Sequence, residues 1–328
     1  MRDCRTLRTA SIPLFLCLIL VSGCKTSDDA AAAATQLTAT ASSLTSYYSA
    51  LGTLLSETDQ LYQIQAAVDP VTPYDAQTKN YIADTAAEIQ KREKLAAALT
   101  TLAQEFAKLS GSTDAAAAST AAGNLESAVA GLKISNVSMS ASNVNLMKDA
   151  VDLIVKAIQE RKDRQAADAI DKFTSSLDQW FQSEEPLYNT IGSDYAAVSD
   201  SLAKALIKKG QVDSSSFLTA VFSPYGLTPQ LTDTTIKDKV QTILADQVDQ
   251  KSAALVASQE AATIGMEKSL REMESRIHLV ATDRPMAIRM APITLVTVQN
   301  WISLVPQIAP AATTTAAKSS TPKSTTSN

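Results

Sequence analysis

The chain has 328 residues, with 29 Lys and Arg against 34 Asp and Glu and a formal net charge of −5 at pH 7. An acidic chain is poorly suited to bind a phosphate backbone, which argues against nucleic acid as a partner. With 3 Cys and 1 His, it also has few residues for thiolate metal sites or Cys–His catalysis.

The amino terminus has the pattern of an export signal. Three arginines in the first eight residues precede an apolar run over residues 12–21, and small residues follow it. A charged start, a short apolar region and a small-residue cleavage site are typical of a signal peptide. The apolar run is about half of the roughly 20 residues that a membrane-spanning helix needs. The sequence therefore predicts export and not a membrane span.

The residues at the end of this signal, Val21-Ser22-Gly23-Cys24, resemble the lipobox of bacterial lipoproteins. In that family the Cys thiol takes a diacylglyceryl group and the chain is cleaved just before it. The resemblance implies that the mature protein begins at Cys24 and that acyl chains hold it to a membrane. An ordinary secretory signal with a chance Cys is the alternative.

The residue after the cysteine bears on the destination. In Gram-negative lipoproteins an Asp at this place commonly retains the protein in the inner membrane, whereas this chain has Lys25. The resemblance therefore favours the outer membrane, facing the periplasm, over the inner membrane. Cys4 and Cys17 leave with the signal, so no free thiol is expected to remain in the lipidated protein.

Composition divides the chain into four parts. Residues 1–23 are the predicted lipoprotein signal peptide, and residues 24–35 are the lipidated amino terminus with an Ala- and Asp-bearing tether that is expected to be disordered or linker-like. Residues 36–310 are predicted to form a single helical-bundle domain. Residues 311–328 are rich in Thr, Ser and Ala and have the composition of a disordered tail.

The predicted domain is all-α. Gly is scarce, with 9 residues, aromatic residues make up 5% of the chain, and no alternating strand pattern with matching turns is present. The first helix carries apolar or small residues in steps of four and three, which is a heptad seam: Leu37, Ala41, Leu44, Tyr48, Leu51, Leu55, Thr58 and Tyr62. We expect an elongated bundle of long, roughly antiparallel helices with coiled-coil-like packing.

Helix-capping signals in the sequence divide the rest of the predicted domain into separate helices. Thr72 and Pro73 are predicted to open a second helix, with Asp75 in the capping-box position. An Ala-rich helix over residues 114–132 and then a long helix after Ser138 follow, and Pro186 should kink or divide the latter.

The second half of the domain has similar signals. A helix is expected to end at Lys208-Lys209-Gly210, because cations and then a Gly suit a helix carboxyl terminus. A short helix over residues 214–222, the turn Ser223-Pro224-Tyr225-Gly226 and a long helix from Thr228 almost to Pro285 complete the series.

The sequence lacks the patterns of common enzyme sites, so we expect no catalytic residue, no enzyme activity and no cofactor. No Gly-x-Ser-x-Gly, phosphate-binding Gly loop or His-Glu-x-x-His motif is present. Glu274 and His278, one helical turn apart, are a weak metal candidate. Helical di-metal sites use Glu-x-x-His pairs at spacing three, so an ordinary surface pair is the alternative.

Three groups of residues are candidates for a partner or membrane surface. Trp180, Phe181 and Tyr188 flank Pro186, and they either fill the core or anchor a partner. The apolar, uncharged segment 293–305 contains Trp301 and Ile302, and it either caps the core as a final helix or meets a partner or the lipid interface. The mixed-sign run 91–94 could contact anionic head groups.

These observations predict a non-enzymatic interaction or scaffold protein, anchored to the membrane by its amino-terminal lipid. The expected partner is an envelope protein or a second copy of the chain. The alternatives are a small-ligand or metal-binding helical bundle and a membrane-acting helical protein that uses residues 293–305. A buried polar cluster between facing helices would favour ligand binding, and an exposed apolar segment would favour membrane action.

Overall fold

The structure is a computed structural model of the chain. It describes residues 12–69, 74–109, 115–132, 141–160, 163–212, 218–219, 223–226, 234–282 and 295–308. Within these ranges the chain has no β-strand, which confirms the all-α prediction. The α-helices with defined bounds are α1 (Ile12–Val68), α2 (Ala76–Leu109), α3 (Ala115–Gly131), α4 (Ala141–Gln159), α5 (Asp163–Lys208), α6 (Thr234–Ala281) and α7 (Val296–Ile308).

The heptad seam predicted for the first helix is confirmed. All of its positions from Leu37 to Thr58 are buried, and Tyr62 is half-buried. The 57 residues of α1 correspond to a helix about 85 Å long. This helix contacts α2, α5, α6 and α7. Packing against these helices removes the apolar seam of α1 from water, which stabilises the fold.

The predicted tether is helical in the structure. Helix α1 already begins at Ile12 and continues through residues 24–35, and both Ala33 and Ala34 are buried. Alanine has the highest helix propensity, and its small side chain lets neighbouring helices approach closely. The Ala-rich composition here therefore extends the helix and does not interrupt it. The predicted tail at residues 311–328 lies outside the described residues.

The predicted start of the second helix is corrected. Thr72 and Pro73 lie outside the described residues, and Asp75 is the amino-terminal cap, because its Oδ1 accepts a hydrogen bond from the Thr78 backbone N–H at 2.7 Å. The bond to this backbone N–H lowers the pKa of Asp75. Asp75 thus precedes the first helical residue, Ala76, and satisfies an amide that the helix leaves unpaired.

Pro186 was predicted to kink or divide the long helix, and of these two outcomes division is wrong. Helix α5 continues through Pro186, while the break falls earlier, between the end of α4 at Gln159 and the start of α5 at Asp163. Pro186 is exposed, so water can satisfy the carbonyl that loses its partner. The run from Glu160 to Arg164 has only charged residues and therefore no apolar side chain that a continued helix would bury.

The predicted end of α5 is confirmed. Gly210 has φ of 67°, and its N–H donates to the Ile207 carbonyl at 2.9 Å. The N–H of Gln211 donates to the Leu206 carbonyl at 2.9 Å, which completes a Schellman motif.

The predicted turn at Ser223–Tyr225 is also present, with φ of 67° at Gly226. Thr228 and most of segment 214–222 lie outside the described residues.

Helices that are neighbours in sequence pack side by side, from α1 with α2 through to α5 with α6, and α7 packs on α1 and α6. The last helix therefore caps the core, since Val298, Trp301 and Val305 are buried. Gly265 of α6 permits a close approach: a Cβ added there would lie 3.3 Å from Val298 Cγ2. One cluster of buried apolar side chains extends from Ala33 to Val305.

Candidate functional site

A buried ion pair joins α2 to α5 at the centre of the bundle. Arg92 Nε donates to Glu184 Oε2 at 2.8 Å, and Arg92 Nη2 donates to Glu184 Oε1 at 2.6 Å. Neither side chain is exposed. The guanidinium also lies 5.4 Å from the centre of the Trp180 ring, which adds a cation–π contact. This geometry is the bidentate fork that Arg and a carboxylate favour.

The environment keeps this arginine charged. Burial disfavours the guanidinium cation, but the hydrogen bonds and the negative charge of Glu184 outweigh burial and raise the pKa of Arg92. Desolvation offsets much of the attraction in such a pair, so its net contribution to stability is small. Removal of Glu184, in contrast, leaves the buried Arg92 charge with only a 3.4 Å contact from Nη1 to Glu88 Oε2, so the charge is poorly compensated.

The polar contacts continue from the ion pair into α1. Tyr188 Oη donates to Glu184 Oε2 at 2.6 Å, and the hydroxyl oxygens of Tyr48 and Tyr188 are 3.1 Å apart. Burial raises the pKa of both tyrosines well above the ordinary value. The phenols therefore stay neutral and act as hydrogen-bonding groups.

A second set of polar contacts connects α1, α5 and α6. The hydroxyl oxygens of Tyr47 and Thr263 are 2.8 Å apart, and Gln259 Nε2 donates to the Tyr188 carbonyl at 2.9 Å. Gly192 provides the space for this amide, because a Cβ there would lie 2.5 Å from Gln259 Cγ. We refer to Arg92, Glu184, Tyr188, Tyr48, Tyr47, Thr263 and Gln259 together as the central network.

Aromatic rings surround the central network. The Tyr47 ring lies 5.2 Å from Trp301 and 5.9 Å from Phe181, and Phe181 lies 5.0 Å from Tyr188. Trp180, Phe181, Tyr188 and Trp301 are all buried. These four residues were candidates for a partner or membrane surface, and in this structure they belong to the core. Tyr47 of α1 packs against Phe181, Tyr188 and Trp301, and Arg92 of α2 lies over the Trp180 ring. Ile302 is partly buried beside the core.

The central network is a buried polar cluster between facing helices, which is the feature expected to favour ligand binding, but its internal contacts favour a structural role. Its ion pair and hydroxyl groups are bonded to one another, so their polar groups are satisfied within the protein. Gln259 Oε1 is an exception, and Nε1 of the adjacent Trp180 is likewise buried without a hydrogen-bond partner. Because the contacts come from α1, α2, α5 and α6, they fix the register of these four helices.

The weak metal candidate lies at an open groove. Glu274 and His278 of α6 line a groove of about 570 Å³ between α4, α5 and α6. His278 Nδ1 is 2.9 Å from Asp171 Oδ2, so the imidazole pairs across the helix interface. In the part of the chain that the structure describes, no group of three or more His, Cys, Asp or Glu side chains could hold a metal ion.

This groove, which we call the α4–α6 groove, combines apolar and acidic side chains. Leu146 and Leu153 of α4 line it although they are 48% and 45% exposed. Its other lining residues are Asp149, Ala150, Asp171, Lys172, Ser175, Ser176, Gln179, Glu274 and His278. The groove therefore has leucine side chains, small residues and several carboxylates within one concave surface.

A buried carboxyl lies next to this groove. Asp178 is one turn after Ser175 on α5, and burial, followed by the negative charge of Glu274, raises its pKa to about 6, while Arg271 acts in the opposite direction. Gln182 Nε2 donates to Asp178 Oδ2 at 2.6 Å, whereas Oδ1 is buried without a partner. The ionised form of Asp178 is therefore costly in this fold.

A second groove of about 550 Å³ lies between α1 and α2. Ser49, Gly52, Ser56, Glu57 and Glu93 are among its lining residues, and the one large aliphatic side chain among them, Ile89, is buried. This α1–α2 groove is similar in volume and also has carboxylates, but it offers no exposed leucine.

No family model, curated protein or solved structure matches the chain. Within the described residues, no helix has an apolar stretch long enough to cross a membrane. Cys24 belongs to α1, and its predicted lipidation stays a prediction.

Sequence reasoning missed the buried position of Arg92. The run 91–94 suggested contact with head groups, whereas Arg92 is fully buried. A signal was present, because Arg92 lies three residues after Ile89 and three before Leu95, on the apolar face of α2. The role of Gly192 had no comparable signal, since its contact, Gln259, is 67 residues away in the chain.

Proposed function

We propose that this protein is a lipid-anchored interaction module of the cell envelope and that it is not an enzyme. The observation that carries the proposal is the α4–α6 groove, in which two half-exposed leucines lie beside carboxylates. A concave surface that combines exposed apolar side chains with charges suits recognition of another molecule.

The anchor part of the proposal rests on the lipobox-like residues. Val21-Ser22-Gly23-Cys24 follows a charged start and a short apolar run. Lipidation at Cys24 would hold the bundle at a membrane surface, and Lys25 favours the outer membrane facing the periplasm. Insertion of dual acyl chains gives stable membrane attachment without a spanning helix.

The central network supports a rigid helix arrangement, in which the surface grooves keep one geometry. Its hydrogen bonds and ion pair connect four helices, so sliding of one helix along another would break buried polar contacts. A fixed helix arrangement keeps the groove preformed, which reduces the entropy cost of binding.

A small-ligand function is the second candidate. The volume of the α4–α6 groove, about 570 Å³, lies within the usual range for ligand pockets. The membrane-acting alternative has less support, because Trp301 is 1% exposed and its apolar face is covered by the bundle.

Two experiments test the proposal. Cys24→Ser should move the full-length protein from the membrane fraction to the soluble envelope fraction and abolish labelling by a fatty-acid analogue. Crosslinking and capture of the wild-type lipoprotein from its own envelope should then yield a discrete complex that the Cys24→Ser protein forms less well. Unchanged membrane attachment would refute the anchor, and failure to form any complex would refute the interaction function.

A further inference from the structure

We infer that the α4–α6 groove receives a short amphipathic helix that carries basic residues, supplied by a partner protein. This inference rests on the proposed interaction function and adds the chemistry of the partner.

Helix α4 supplies the exposed apolar side chains of the groove. Leu146 and Leu153 are seven residues apart and therefore lie on the same side of the helix. Ala150 lies between them, at the fourth residue after Leu146, and it is buried. Single exposed apolar side chains are ordinary on a protein surface. Two half-exposed leucines that line one groove with an alanine between them are instead the pattern of an unpartnered helix seam.

The shape of the groove suits a helix. Its α5 side includes Ser175 and Ser176, which are small, beside Asp171, Lys172 and Gln179. Small side chains let a docked helix approach closely, and leucines can fill the spaces between its side chains. The spacing from Leu146 to Leu153 corresponds to about 10 Å along α4, which is about two turns of a partner helix.

The excess of carboxylates in the α4–α6 groove favours a basic partner. The groove is lined by three carboxylates, Asp149, Asp171 and Glu274, against one ammonium group, that of Lys172. Asp171 pairs with His278, and Asp149 is exposed. A helix with Leu or Ile on one face and Lys or Arg at its edges would bury the leucines and neutralise the carboxylates.

The α1–α2 groove shows why charge alone is insufficient. It has a similar volume and its lining includes Glu57 and Glu93, but the apolar side chain that it contains, Ile89, is already buried. A basic amphipathic helix would gain only screened electrostatic attraction there. The two grooves therefore differ in the apolar contribution, and they provide an internal control.

The test uses three fluorescent peptides of roughly 15 residues, about four helical turns, with the full chain. The first has leucines along one helical face and lysines beside them, the second replaces the lysines with glutamates, and the third replaces the leucines with serines. Fluorescence anisotropy measures binding. We expect the first peptide to bind and the other two to bind at least about tenfold more weakly.

Variants of the protein locate the binding surface. Leu146→Ser with Leu153→Ser should weaken binding of the first peptide by about tenfold or more, since it removes two apolar contacts. Ile243→Ser is the matched control, because Ile243 is 50% exposed on α6 and does not line the groove. Asp149→Lys with Glu274→Lys should shift the preference toward the glutamate peptide. Circular dichroism melts establish that each variant is folded.

The outcomes separate this inference from the proposed function. Absence of binding by the lysine peptide would overturn the inference, and so would equal loss in Ile243→Ser. Equal binding of the lysine and glutamate peptides would do the same. A discrete complex captured from the envelope through another surface would leave the interaction function standing while the groove assignment failed. Lack of any captured complex would instead count against the function itself.

Discussion

Arg92 and Glu184 come from different helices and share two hydrogen bonds of 2.8 and 2.6 Å, with neither side chain exposed. Glu184→Gln should therefore lower the free energy of unfolding by about 3 kcal/mol, because the buried guanidinium keeps only its longer, 3.4 Å contact with Glu88. Urea denaturation measures this change.

The exposed pair Lys108–Glu105 has the same 2.6 Å separation of nitrogen and oxygen, and it is the control. Glu105→Gln should cost no more than about 1 kcal/mol. Replacing both Arg92 and Glu184 with Met should cost less than Glu184→Gln alone, since Glu88 keeps its partner Lys91 and no unpaired charge is buried. If Glu184→Gln and Glu105→Gln have equal effects, the burial described for the ion pair is wrong.

Gly192 provides a second test of the central network. Gly192→Ala should destabilise the fold by about 1–3 kcal/mol, although Ala favours helix, because the new Cβ meets Gln259 Cγ at 2.5 Å. Gln259→Ala in the same chain should restore part of the loss by removing the clash. Gly123→Ala is the control, because a Cβ there meets nothing within 4 Å. Thermal melts that show Gly192→Ala as stable as Gly123→Ala would contradict the close packing.

The raised pKa of Asp178 predicts that the stability of the fold depends on pH. Its pKa is raised by burial to about 6, so the folded state binds a proton more tightly than the unfolded state does. The corresponding stabilisation is present below about pH 4 and is lost as the pH rises through 6. Asp178→Asn should therefore be more stable than wild type at pH 8 by about 1–3 kcal/mol, and this advantage should shrink toward pH 4. A difference between the two proteins that is constant with pH would refute the pKa assignment.

Trp301 distinguishes a packed final helix from a membrane-binding one. Because Trp301 is 1% exposed and lies 5.2 Å from the Tyr47 ring, Trp301→Ala should cost about 3–5 kcal/mol of stability. In a Trp180→Phe background the Trp301 emission should be blue in solution and unchanged by phospholipid vesicles. Red emission that moves to the blue on adding vesicles would support the membrane-acting alternative.

The sequence predicted the elements whose causes are local. The seam from Leu37 to Tyr62 follows from heptad spacing, and the end of α5 follows from Lys208, Lys209 and Gly210. These features depend on residues within a few turns, so a pattern can reveal them.

What the sequence did not predict depends on contacts between distant residues. Glu184 is 92 residues from Arg92, and the pair is buried only because α2 and α5 pack on α1. Pro186 carries a strong local signal for a break, but its place on an exposed face lets the helix continue. The α4–α6 groove likewise forms from three helices, so Leu146 and Glu274 are related only in the folded chain.

The most direct test of the interaction proposal is site-specific photocrosslinking of the full-length protein in its own cells. A photoreactive amino acid is placed at Leu153 in the α4–α6 groove, at Ser56 in the α1–α2 groove or at Ile243 on α6. We predict a discrete adduct from position 153, much weaker adducts from the other two, and a reduced yield when Cys24 is replaced by Ser. The absence of a discrete adduct at position 153, or adducts of equal strength at all three positions, would contradict the account.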